Sequence, residues 1–266
     1  MKNYISEIYK LGIKLFPICR SITGNGVRQT LAIIKKQLPK LKITEVKSGT
    51  KVFDWTIPPE WNIKDAFVKD QIGKKIIDFK KNNLHIVNYS IPIKRKINKK
   101  ELFEHLHTSK KLKNAIPYVT SYYRKYWGFC ITYNEKRKLE KKFKKLSSKK
   151  NYFQIEINSS INKKGSLTYG EFFVPGRSKK EILISTYICH PSMANNELSG
   201  PLVATALAKK FSKEKNEFGL RFIFVPETIG AVAYIKKNLK DLKKNVFAGY
   251  SITRIGDERT YSFLPT

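Results

Sequence analysis

Two strand–turn–helix joints, each delivering one reactive side chain, constrain this chain more than any other feature. The first begins with Glu181-Ile-Leu-Ile-Ser-Thr-Tyr-Ile188, an almost unbroken apolar and β-branched run that reads as a strand buried on both faces. Cys189-His190-Pro191 ends it, a polar turn through Asn195, Asn196 and Ser199 follows, and Leu202-Val-Ala-Thr-Ala-Leu-Ala208 resumes as a helix of small residues. The second joint repeats the plan. Arg221-Phe-Ile-Phe-Val225 is a buried strand, Pro226-Glu227-Thr228-Ile229-Gly230 is the turn, and Ala231-Val-Ala-Tyr-Ile235 starts the next helix. Consecutive βα units place their strands' carboxyl ends at one sheet edge, where open α/β sheets carry chemistry. His190 and Glu227 are thus expected together. Alone, a histidine at such a joint could be a satisfied core residue. Paired with a carboxylate, it makes a plausible hydrolytic constellation, since neutral imidazole binds Zn²⁺ and a carboxylate can ligate the metal or take a proton from its water.

The rest of the chain supplies scaffold around these joints. Ile5, Ile8, Leu11, Ile13 and Leu15 lie close to helical spacing over residues 4–16. Asn25 and Gly26 open a second helix with Val27, Leu31, Ile34 and Leu38 on one face, and Pro39 ends it. Between the two, Arg20-Ser-Ile-Thr-Gly24 either faces a site or is a plain interhelical turn. From about Lys51 the texture becomes aromatic and strand-rich. Residues 65–68, 75–79, 84–89 and 127–131 read as strands, and residues 99–107 as a short helix. His85, His105 and His107 fall in this block without a carboxylate or cysteine spaced to complete a metal shell, which favours structural roles. Residues 153–157 alternate as a half-buried strand, 165–170 read as a hairpin-type turn and 171–175 as another strand. Residues 246–252 form a last buried strand, with Asp257 and Glu258 just beyond.

Beyond the two joints, the motifs that carry a family resemblance are Cys19-Arg-Ser-Ile-Thr-Gly-Asn-Gly-Val27, Val52-Phe-Asp-Trp-Thr-Ile-Pro-Pro-Glu-Trp-Asn62, Asn83-Leu-His-Ile-Val-Asn-Tyr-Ser90 and Ile116-Pro-Tyr-Val-Thr-Ser-Tyr-Tyr123 with Trp127-Gly-Phe-Cys130. With them the sequence resembles an aminopeptidase-like family of uncharacterised proteins, whose members are sometimes labelled as polysaccharide-biosynthesis proteins. The resemblance implies an α/β fold, a zinc-aminopeptidase-like sheet flanked by helices, interrupted by a small strand-rich α+β domain. It places the main domain at residues 1–50 and 150–266 and the insert at 51–149.

Zinc aminopeptidases generally hold two metal ions with two histidines and several carboxylates, one of them bridging. By motif matching, His190 stands at the first histidine ligand and Glu227 at the catalytic base. Asn196 stands at the bridging aspartate and Thr228 at a metal-binding glutamate. Asparagine offers only a neutral carbonyl oxygen and is a poorer bridge. Ser251 and Thr253 stand near a ligand aspartate, with Asp257 as a possible second ligand a few residues on. The resemblance places the remaining histidine in a segment beyond Thr266, so the domain is expected to be C-terminally incomplete. Asn195, Asn196, Ser199 and Thr228 are expected to line the site.

Composition narrows the partners. With 53 Lys and Arg against 21 Asp and Glu the formal charge is +32, yet lysine is strewn along the chain in short runs such as Lys149-Lys150. No zinc-finger spacing, helix-turn-helix or RNA-binding motif accompanies it, so solvated faces are expected rather than a specific nucleic-acid groove. The three cysteines, Cys19, Cys130 and Cys189, are too few and too scattered for a disulfide framework. With no apolar leader and no run approaching a membrane span, a cytoplasmic protein acting on a peptide or small molecule is expected. The functional expectation is a zinc-dependent aminopeptidase-type hydrolase. The alternative is a non-catalytic peptide- or carbohydrate-binding protein of the same fold, which Asn196 and Thr228 would favour.

Overall fold

The structure, a computed structural model, describes residues 2–144, 152–258 and 262–265. It divides into two compact units, one of residues 1–60 with 163–266 and one of residues 61–162. The insert boundary expected at 149/150 lies outside the described residues. The strand that follows it is part of the second unit's sheet, so the contact boundary falls later in the sequence.

In chain order the elements of the first unit are α1 (Lys2–Leu15), α2 (Asn25–Gln37), β1 (Lys42–Lys47) and the short pair β2 (Lys51–Val52) and β3 (Trp55–Thr56). The chain crosses into the second unit along β4 (Glu60–Lys69) and continues through β5 (Lys75–Asp78), β6 (Ile93–Asn98), α3 (Lys99–Glu104), β7 (Leu106–His107), β8 (Phe129–Cys130), α4 (Tyr133–Lys142) and β9 (Tyr152–Asn162). It returns with β10 (Ser166–Val174), β11 (Glu181–Tyr187), α5 (Ser199–Phe211), β12 (Gly219–Val225), α6 (Ile229–Asn245) and β13 (Val246–Ser251).

The first unit is built on a five-stranded sheet in the order β1-β10-β12-β11-β13. β1, β10 and β12 pair antiparallel, while β12, β11 and β13 run parallel. Parallel strands need crossovers, and α5 and α6 supply them. The step from β11 to β12 and the step from β12 back past β11 to β13 run in opposite directions. Right-handed crossovers therefore put α5 and α6 on opposite faces. Side-chain alternation in β12 agrees: Leu220, Phe222 and Phe224 join the core with α1, α2 and α5, while Arg221 points to the other face. There it meets Glu181, Glu171, Asp241 and the Tyr234 hydroxyl.

Several local expectations change. In α1 the stripe that reaches the core is Leu11 and Leu15, whereas Ile5 and Ile13 are exposed. Of residues 165–170, 166–170 are strand, the opening of β10; the turn sits just before them at 163–164, where the chain passes from one sheet to another. Among the described residues β13, expected to be buried, is an edge strand, with Phe247 and Tyr250 exposed. Its apolar composition does not distinguish a central strand from an edge.

The second unit carries a four-stranded sheet, β5-β4-β9-β6. Trp61 is its aromatic anchor, stacked on Tyr89 with centroids 5.8 Å apart and donating from Nε1 to the Ser90 carbonyl. Residues 84–89 are not a strand. Asn82 caps a single 3-10 turn at Asn83–His85, and only isolated bridges follow at Ile86 and Asn88. The helix expected over 99–107 stops at Glu104. The three histidines are held locally: His85 Nδ1 against the Cys130 carbonyl at 2.8 Å, His105 Nδ1 against the Trp127 carbonyl at 2.7 Å, and His107 Nε2 against the Tyr126 hydroxyl at 2.8 Å.

Candidate active site

His190 and Glu227 do meet. Each leaves the carboxyl end of one of two adjacent parallel strands, His190 after β11 and Glu227 after β12, with the Ile188 N–H still bonded to the Val225 carbonyl between them. His190 Nε2 lies 3.3 Å from Glu227 Oε2. The imidazole is 10% exposed and the Glu227 side chain 49%, so the pair opens to solvent on the glutamate side.

Glu227 is aimed by a strained turn. Thr228 has φ 60° and ψ −81°, and the Ile229 N–H donates to the Glu227 carbonyl at 2.8 Å. That is a γ-turn of the rarer hand, which a β-branched residue adopts only at a cost of order 1–3 kcal/mol. The turn lets α6 start two residues beyond the acid. Thr228 gives α6 no side-chain cap.

Behind His190 stands a buried charge relay that the sequence reading did not assemble. His190 Nδ1 lies 2.7 Å from Glu197 Oε2, and Glu197 Oε1 lies 3.4 Å from Arg20 Nε; both Arg20 and Glu197 side chains are 0% exposed. Arg20 also donates to the His190 carbonyl at 2.9 Å and the Leu15 carbonyl at 2.7 Å. The 19–24 turn between the first two helices therefore does face the site. It can come so close because residue 26 has no side chain: a Cβ there would sit 2.1 Å from the Cys19 carbonyl oxygen. Glu197 itself is turned inward by a π-helical turn over Ala194–Leu198, whose wider winding buries Glu197 and Leu198 in succession.

Cys189 completes the cluster. Its Sγ lies 3.5 Å from His190 Nδ1 and accepts the Glu227 backbone N–H at 3.1 Å, which ties the two joints together. Burial, reinforced by the nearby Glu197 charge, pushes this thiol well above the ordinary cysteine range, so it is uncharged. Among the described residues, Cys189, His190 and Glu227 each bring a donor atom within 4.8 Å of the others. Sulfur, imidazole nitrogen and carboxylate oxygen are the donor types zinc accepts.

The other expected site residues divide. Asn195 accepts the Gly256 N–H at 2.8 Å and donates to Asp257 Oδ2 at 2.6 Å, and Ser199 Oγ accepts the Ile255 N–H at 3.1 Å. These two side chains pin the 255–257 loop. Asp257 is held there by Asn195 and lies outside the donor group that contains His190. The buried Asn196 Oδ1 has no hydrogen-bond partner among the described residues. A neutral carbonyl oxygen left bare near the site fits a ligand contact but does not supply the negative charge of a bridging carboxylate. Among the described residues, the donors brought together are the single group of Cys189, His190 and Glu227.

Comparison with known proteins agrees with the fold. Residues 9–266 match a domain of unknown function, DUF4910. The chain belongs to the DUF4910 family. A relative from Clostridium acetobutylicum, named for polysaccharide biosynthesis and an aminopeptidase-like domain, is 51% identical over 251 residues, which is 94% of this chain and 55% of the relative. The chain thus spans about half the length of the curated relative it matches. A crystal structure from the same organism, described as a peptidase, superposes with a TM-score of 0.87 at 50% identity, covering 95% of this chain and 57% of that one. The zinc aminopeptidase BSAP from Bacillus subtilis shares the fold at TM-score 0.61 with 11% identity, covering 96% and 69% of the two chains. The fold is aminopeptidase-like, an α/β sheet flanked by helices.

Proposed function

We propose that this chain carries the reaction centre of a metal-dependent, aminopeptidase-type hydrolase acting on a peptide or a small amide. The observation that carries the reading is the meeting of His190 Nε2 and Glu227 Oε2, 3.3 Å apart, at the solvent-open carboxyl edge of two parallel strands. At that separation the two atoms can share a proton or hold a cation between them. The donor set beside them is one that zinc accepts. His190 would hold the metal through Nε2; Cys189, whose uncharged thiol lies 3.5 Å from Nδ1, would join as a sulfur donor only on losing its proton. Asp257, held through Oδ2 by Asn195, would be a further ligand. A bound zinc would polarise the scissile carbonyl and lower the pKa of the attacking water. Glu227, the most open acid of the cluster, accepts the water's proton and returns it to the leaving amine. The aminopeptidase-like fold and the names of the relatives support this reading.

The test is elemental analysis of the purified chain, followed by cleavage of aminoacyl-anilides with and without chelator. Bound zinc and chelator-sensitive cleavage are expected, with Glu227→Gln slowing turnover by about 10²–10⁴-fold. A folded sample with neither metal nor turnover refutes the hydrolase. The second reading, a non-catalytic peptide or carbohydrate binder of the same fold, is favoured by the neutral Asn196 and Thr228 at positions where the resemblance expects carboxylates. It predicts ligand binding that survives both His190→Ala and Glu227→Gln. No helix among the described residues is long and apolar enough to cross a membrane. The cysteines of the described residues are free, and we place the protein in the reducing cytoplasm.

A further inference from the structure

Glu197 lies outside the reacting pair, yet it is the better-placed partner of the histidine. His190 sits between two carboxylates, and a neutral imidazole carries only one N–H. Which carboxylate receives it decides which nitrogen is left to bind a cation. The contact to Glu197 is 2.7 Å and to Glu227 3.3 Å. Glu197 is wholly buried and lies against the equally buried guanidinium of Arg20, with Oε1 3.4 Å from Nε. Glu227 is half exposed, so water competes for its oxygens. The low dielectric around the inner contact strengthens its electrostatic attraction, whereas solvent screens the outer one.

We infer that Glu197, anchored by Arg20, is a positioning residue that holds the His190 proton on Nδ1 and presents the Nε2 lone pair to the Glu227 side as the cation-binding atom. The geometry repeats a general device, in which a carboxylate behind a ligating histidine fixes its tautomer and orientation. Its construction here is particular to this chain. A π-helical turn folds Glu197 inward, and a guanidinium from the 19–24 turn supplies the counter-charge. Arg20 bonds the His190 backbone carbonyl as well, so one cation fixes both the main chain of the histidine and the acid behind its ring. The inference rests on the reading of His190 as a metal ligand for its consequence, but not for the tautomer itself.

The experiment separates the two. Ring-nitrogen NMR on the ¹⁵N-labelled, chelator-treated chain, at a pH where its imidazoles are neutral, reads the tautomer directly. Four histidines are present, and loss of one signal set in His190→Asn assigns the resonance. The Nδ1–H form should exceed the Nε2–H form by at least about tenfold, as expected of a locked tautomer. In the double variant Arg20→Met with Glu197→Met, which removes both charges together, that preference should collapse. Zinc affinity measured by competition with a chromogenic chelator should fall by about 10–100-fold. A wild-type Nε2–H tautomer overturns the inference whether or not zinc binds. So does a double variant that keeps the Nδ1–H preference, or that binds zinc as tightly as the wild type. A wild-type chain with the Nδ1–H tautomer that binds no zinc refutes the hydrolase reading and leaves the positioning role of Glu197 standing.

Discussion

Removing one member of the Arg20–Glu197 pair should cost far more than removing both. Each side chain is wholly buried, and the charges lie 3.4 Å apart. Arg20→Met leaves the Glu197 carboxylate inside the protein without its cation, and Glu197→Met leaves the guanidinium without its anion. A broken buried pair typically costs about 3–5 kcal/mol. At about 2–4 °C per kcal/mol for a domain of this size class, either single variant should melt roughly 6–20 °C early. The double variant carries no uncompensated charge. It loses the bonds to the Leu15 and His190 carbonyls and the acceptor for Nδ1, at about 1 kcal/mol each, and regains apolar packing from two methionines of similar size. Its net cost should be about 2–3 kcal/mol. The coupling in the double-mutant cycle is then at least about 3 kcal/mol, measured as the shift in urea midpoint at constant m-value. Additivity within about 0.5 kcal/mol would show that the two groups do not sense each other. The charge relay would then be a coincidence of packing.

The turn between β4 and β5 should be acid-sensitive. Burial alone would raise the Asp70 carboxyl, but the Lys142 ammonium and the N–H groups of Lys74 and Ile72 outweigh it and hold it below the usual range. With the folded value depressed, its contribution is fully present above the unfolded value of about 3.9 and is lost as pH falls through the folded one. Urea midpoints measured between about pH 5 and pH 2 should fall in the wild type, with a flatter fall in Asp70→Asn. Gly26→Ala should destabilise on the order of 1–3 kcal/mol, read by thermal melting, because its Cβ would strike the backbone carbonyl of Cys19 beside Arg20. An unchanged melt would show that the 19–24 turn yields freely. In a gel-shift titration at about 0.15 M salt, where the Debye length is about 8 Å, nucleic-acid binding should be weak and indifferent to sequence; submicromolar, sequence-selective binding would refute the solvated-face reading of the +32 charge.

The parallel core was legible because its signals are local and redundant. β11 and β12 are continuous apolar runs, α5 is small-residued, and each run stops at a proline beside the reactive side chain. The same logic misled at β13, since an apolar strand at a sheet edge carries the same letters as one in the centre. Residues 84–89 failed for a related reason. Their alternation is that of a strand, but the Asn82 side chain offers its oxygen to the Leu84 N–H and starts a 3-10 turn instead.

The site was half legible, and the division has a physical cause. His190 and Glu227 are each fixed by the strand they terminate, so position along the chain is enough to bring them together. Glu197 and Arg20 are fixed by winding and by a distant turn. In an ordinary α-helical register, consecutive residues such as Glu197 and Leu198 are turned apart by about a hundred degrees; it takes the π-helical turn to bury both. Nothing in the letters near Ala194 announces that extra residue. Arg20 is 177 positions away from Glu197 in sequence order, and its approach depends on the missing side chain at Gly26. Yet one sequence signal was available. A glutamate immediately before an apolar helix start, and an arginine between two scaffold helices, are both expensive to bury alone. Had both been assumed buried, each would have required a partner of opposite charge, and each is such a partner for the other. The reactive pair is thus specified locally, while the groups that orient it are specified by mutual need across a long stretch of sequence.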